Sequence, residues 1–127
     1  MLAIHPLTDE QELTEYLRAH DLPEDAAVLR AYEDGGVTGN LSLTLETQPN
    51  AEGAMRAFLL IHTLEYPDDF TGELLLRAAV SFAFNRMIPE VRAALAMKNP
   101  LFDRVGFQAD ENYLAIATQK VVHFCKK

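Results

Sequence analysis

A chain of 127 residues, 49% hydrophobic and 24% charged, has the size and mixture of one folded domain over 1–127 rather than a disordered segment. No apolar run approaches the ~18 residues that cross a bilayer, and the start Met1–Pro6 lacks the basic and then apolar pattern of a secretory leader, so a cytoplasmic location is expected. Eleven Lys and Arg against nineteen Asp and Glu give a net charge of −8, with the basic residues scattered singly apart from Lys126 and Lys127. That balance argues against nucleic acid and an anionic membrane surface as partners, and is compatible with a cationic amine.

Residues 2 to 7 read as a first strand closed by Pro6. Thr8 followed by Gln11 has the spacing of a capping box, and Leu13, Tyr16 and Leu17 share one helical face, so a helix is expected to about His20. Ala26–Glu33 and Val37–Glu46 form a hairpin about Asp34-Gly35-Gly36, a turn tolerant of positive φ. In its second strand, Val37, Gly39, Leu41, Leu43 and Leu45 alternate with polar residues.

Gln48 to Gly53 is a loop, and Ala54–Leu64 an apolar run suited to a central strand covered on both faces. The period changes over Glu73–Met87, a mostly apolar helix ended by Pro89. Val91–Met97 reads as a strand, Asn99-Pro100 as the start of a short helix closed by Gly106, and Tyr113–Thr118 and Val121–Phe124 as final strands. The order β-α-β-β-β-α-β-(short α)-β gives an α/β (α+β) class: a mixed, mainly antiparallel sheet with helices on both faces.

Several strings, in this order and spacing, resemble the GCN5-related N-acetyltransferase (GNAT) family, across roughly residues 25 to 118. Tyr32 to Gly39 looks like its second hairpin, and Leu64-Glu65-Tyr66-Pro67 like the end of its fourth strand. Leu74-Leu75-Leu76 looks like the start of its third helix, and Phe102 to Phe107 like the tract with an aromatic residue before a Gly-Phe pair. The family's second helix has no counterpart. The resemblance implies the acyl-CoA N-acyltransferase fold, acetyl-CoA or another acyl-CoA as cofactor, and a small amine as acceptor.

By that resemblance, Leu64, Phe70, Thr71, Gly72, Glu73, Leu74 and Asn99 are the candidate cofactor-binding residues. The family's loop for the CoA diphosphate follows Gln/Arg-x-x-Gly-x-Gly/Ala, in which backbone N–H groups at a helix start face the anion. The positions here are Asp69-Phe70-Thr71-Gly72-Glu73-Leu74: Gly72 fits, whereas Asp69 and Leu74 depart and Asp68, Asp69 and Glu73 make the loop acidic. Thr71 is a candidate cap of that helix. Phe102 stands where family members often carry a proton-donating tyrosine, and phenylalanine has no proton to give. Pro100 and the short spacing from Asn99 to Phe102 imply a shortened last helix.

Glu65 and His62 are the candidate catalytic residues, either able to take a proton from an ammonium substrate. Their odd spacing places them on opposite faces of a regular strand, an assignment that a bulge would shift. His5, His20, His62 and His123 have no metal-like spacing, and Cys125 lacks a partner, so no metal site is expected. The alternative to an amine acetyltransferase is an inactive binding or dimerisation module, its cleft filled by side chains such as Phe70 and Leu74. Pairing of two chains through the last strands, as a homodimer, stays open.

Overall fold

The period-two runs of the sequence assemble into one seven-stranded sheet in the computed structural model, which describes residues 1–119. The strand expected over Val121–Phe124 lies outside those residues, as do His123 and Cys125. Along the chain run β1 (Leu2–Pro6), α1 (Glu10–Ala19), β2 (Ala27–Glu33), β3 (Gly36–Pro49), β4 (Met55–Glu65), α2 (Asp69–Asn85), β5 (Glu90–Ala94), α3 (Pro100–Val105), β6 (Gln108–Ala109) and β7 (Tyr113–Ala117). In space the strands follow the order β1-β2-β3-β4-β5-β7-β6. Among the described residues only β4 and β5 pair in parallel, joined by the α2 crossover.

Helices cover both faces, as the sequence pattern implies. Neighbouring strand residues point to opposite faces, and the two sides of β2 enter different cores. Val28 packs with Leu7, Tyr16, Leu17 and Ala26 under α1. Leu29 belongs to the larger core in which α2 and α3 bury Leu75, Leu76, Ala79 and Phe102 against Leu41, Leu43, Ile61 and Val91.

Several boundaries move, each for a local reason. Asp9, not Thr8, caps α1: its carboxylate accepts from Glu12 N at 2.9 Å, and Gln11 instead bonds Glu15. α2 begins four residues before the expected Glu73, because Asp68 captures its first turn. β5 stops at Ala94, and Leu95–Met97 forms a single tight turn of helix. α3 has six residues and ends on Gly106 at φ 115°, a left-handed position that favours glycine. Val37 and Leu45 are exposed, whereas Ser42 and Thr44 on the opposite side are buried. Polar residues in the middle of β3 therefore serve a second, hydrogen-bonded interior.

Candidate functional site

The pairing of β3 with β4 contains one irregularity, and it falls on a candidate catalytic residue. Ser42 opposes Thr63 and Leu43 opposes Ile61, so His62 is the extra residue of a β-bulge. The bulge overturns the expectation that His62 and Glu65 face apart. His62 bonds Thr44 at 2.7 Å, Thr63 bonds Ser42 at 2.7 Å, and Glu65 opposes Asn40, so all three lie on the α1 face. The parallel pairing of β4 with β5 ends at Ile61–Ala93 among the described residues. Residues 62–65 of β4 lie beyond the last of these pairs.

Glu65 is held by three residues, two from α1 and its C-cap and one from β3. The Tyr16 hydroxyl donates to Oε1 at 2.7 Å, while His20 Nε2 lies 3.4 Å from Oε2 and Asn40 Nδ2 donates to Oε1 at 3.4 Å. Tyr16 also meets Thr63 Oγ1 at 3.0 Å and stacks on His20 at a centroid distance of 4.0 Å. Burial pushes the Tyr16 hydroxyl up to about 12, with the Glu65 charge adding to the rise against a lowering bond from Thr63. Burial also raises the Glu65 carboxyl, but the hydrogen bonds from Tyr16 and His20, the His20 charge and Asn40 outweigh it and hold the group below its ordinary value. Such a carboxylate is a weak proton acceptor.

At the start of α2, two of the backbone donors expected to meet a diphosphate, Thr71 N and Gly72 N, are already used. Asp68 caps α2, its carboxylate accepting from Thr71 N at 2.8 Å while its carbonyl accepts from Gly72 N at 3.1 Å. The cap is thus Asp68 rather than Thr71, whose side chain is buried. The Thr71 N–H holds the Asp68 carboxyl below the usual range. Gly72 does provide a close approach, but to protein: a Cβ there would lie 2.7 Å from Leu101 Cδ1 and 2.9 Å from the Tyr66 ring.

The remaining cofactor candidates divide. Glu73 pairs with Arg77 at 3.1 Å and Arg104 at 3.7 Å, and Arg104 also lies 3.9 Å from Asp69. Phe70 is 67% exposed and fills no cleft, and Leu74 is half-buried. Asn99 caps α3 through Leu101 N at 2.8 Å and reaches the Tyr66 hydroxyl at 3.4 Å. Leu64 turns its side chain to the α2 core, opposite Glu65. The acidic side chains at this helix start do not fit a CoA diphosphate. Phe102 is fully buried, edge-on to Phe107 at 5.1 Å.

On the α1 face lies a groove of about 480 Å³. Its lining includes Glu46, Gln48, Phe58, Leu60, Arg92 and Tyr113. The Arg92 guanidinium sits over Phe58 at 3.9 Å and Tyr113 at 4.2 Å, bonds Gln48 at 2.6 Å, and pairs with Glu90 at 2.8 Å. Its charge is thereby answered within the sheet. Glu46 bonds Thr44 through Oε2, and its Oε1 has no partner among the described residues. Tyr16, Thr44, Glu46 and Asp68 escaped the candidate site residues, although the order Asp68, Thr71, Gly72 carries a legible N-cap signal.

No protein-family model matches the chain, and no curated protein matches it. Solved structures do. A probable acetyltransferase from Staphylococcus epidermidis ATCC 12228 aligns with a TM-score of 0.65 at 16% identity, over 93% of this chain and 99% of that one. A GNAT family acetyltransferase from Brucella melitensis in complex with acetyl-CoA aligns with a TM-score of 0.66 at 16% identity, over 92% and 88%. The KacTA–DNA complex aligns with a TM-score of 0.67 at 14% identity, over 99% of each chain. At such identities the likeness establishes the fold, and this chain has the fold of the GNAT acetyltransferases.

Proposed function

We propose that this chain, built on the acyl-CoA N-acyltransferase fold, transfers an acyl group from a thioester to a small amine. The observation that carries the reading is the bulge at His62, set where β4 parts from β5. An acyl-CoA supplies the activated acyl group as a thioester. His62 takes a proton from the ammonium form of the acceptor, directly or through one water, and leaves a neutral amine able to attack. The groove beside it supports a cationic acceptor with an apolar body: Glu46 Oε1 receives the ammonium, and Phe58, Leu60 and Tyr113 cover the hydrocarbon. Glu65, bound to Tyr16 and His20, holds α1 against the end of β4.

The second reading, an inactive binding or dimerisation module, is favoured by Asp68. Its carboxylate stands where the fold offers donors to a diphosphate, and Tyr66 and Leu101 fill the space at Gly72. Calorimetry with acetyl-CoA, followed by thiol release with a panel of aliphatic and aromatic amines, separates the two. Saturable, amine-dependent thiol release supports the transferase, and no binding at millimolar cofactor supports the module.

A further inference from the structure

The bonds around Thr44 determine which nitrogen of His62 carries its proton. A threonine hydroxyl has one proton to give, and Thr44 gives it to Glu46 Oε2 at 2.7 Å. The same oxygen lies 2.7 Å from His62 Nε2. With its proton committed to the carboxylate, Thr44 can only accept from the ring, so Nε2 bears the hydrogen. A neutral imidazole holds a single N–H, which leaves the lone pair on Nδ1. Thr44 is 3% exposed, so water has little access to the hydroxyl.

We propose that Glu46, acting through Thr44, is a positioning residue that holds neutral His62 as its Nε2–H tautomer and keeps Nδ1 as the basic nitrogen. The geometry rests on no assumption about activity; only its catalytic consequence rests on the acyltransferase reading. In that step an N–H bond of the ammonium breaks and an Nδ1–H bond forms, giving a neutral amine and an imidazolium. The Glu46 carboxylate, two hydrogen bonds away, offsets the new charge.

The experiment is two-bond ¹H–¹⁵N spectroscopy of the histidine rings of the full chain, above the ordinary imidazole pKa of ~6.5. His62 is assigned by the signal lost in His62→Gln. The expected result is an Nε2–H pattern in the wild type and in Thr44→Ser, which keeps the hydroxyl. Thr44→Val and Glu46→Ala should each move the ring toward a mixture of tautomers, the first by removing the acceptor and the second by freeing the Thr44 proton. An Nδ1–H pattern in the wild type overturns the proposal, as does an unchanged Nε2–H pattern in both of these variants. Glu46 is on a partly exposed strand position, so its variant keeps the test decisive if Thr44→Val does not fold. Absence of acyl transfer alongside the expected tautomer pattern counts against the proposed function and leaves the relay standing.

Discussion

Tyr16 of α1 donates its hydroxyl to Glu65 at the end of β4 across 2.7 Å, tying the helix to the strand end beyond the last β4–β5 pair. Folding holds the proton on Tyr16 up to about 12, whereas an unfolded tyrosine loses it near 10.0. The resulting stability is present in full below pH ~10 and is lost as pH rises through ~12, since the unfolded chain then binds fewer protons. Two units correspond to about 3 kcal/mol. Tyr16→Phe should remove most of this alkaline loss while costing about 1–3 kcal/mol at neutral pH, where Glu65 loses its donor. Urea unfolding of both proteins at neutral and alkaline pH measures it.

Glu65 has the opposite sign. Its carboxyl is held below its unfolded value of 4.5, so its contribution is present above that pH and disappears as pH falls through the lower folded value. Glu65→Gln should therefore flatten the acid limb of stability, read as a smaller drop in Tm between neutral and acid pH. An unchanged acid limb would mean that the bonds from Tyr16 and His20 do not favour the ionised form.

The two candidate bases should separate kinetically. With an active acceptor, His62→Gln is expected to lower kcat by roughly 10²–10⁴, the range of a lost general base. Glu65→Gln should stay within about tenfold, since its carboxylate is already engaged by Tyr16 and His20. Equal losses from both, measured as thiol release, would transfer the role to Glu65 or to the pair.

Period and turn chemistry made the strands and helices legible, because Leu41, Leu43, Ile61 and Val91 bury in the alternation that the sequence displays. The site was less legible. Placing His62 and Glu65 on opposite faces followed from regular period two, and a bulge at His62 cancels that period without any mark in the residues themselves. In the sequence Asp68 is one of three acidic residues around the loop, and only the structure singles it out as the cap of α2. The alternation of β3 puts Thr44 on its polar side and singles out neither Thr44 nor Glu46. Their roles depend on a groove that appears only in three dimensions.

Gly72 was expected because a phosphate needs close approach, and its neighbours give it a second reason. Gly72→Ala would drive a Cβ to 2.7 Å from Leu101 Cδ1 and 2.9 Å from the Tyr66 ring. Leu101 is a flexible end, but Tyr66 is a ring tethered to Asn99, so the strain should cost about 1–3 kcal/mol. Pairing Gly72→Ala with Leu101→Ala should recover little of that loss if the ring sets the limit, and most of it if Leu101 does. Denaturation midpoints decide between them.

Asp68 is the residue whose change should bring a diphosphate into the loop. Asp68→Asn keeps a side chain that can accept from Thr71 N while removing the charge, and Asp68→Ala also frees that N–H. A helix N-terminus without its own carboxylate favours an external anion. Affinity for CoA should therefore rise several-fold in Asp68→Asn and further in Asp68→Ala, the latter with a lower Tm from the lost cap. Dephospho-CoA should gain as much as CoA, because the diphosphate and not the ribose phosphate meets the helix. If calorimetry finds no gain in either variant, the barrier is the packing of Tyr66 and Leu101 at Gly72 rather than charge. The module reading would then be the stronger of the two.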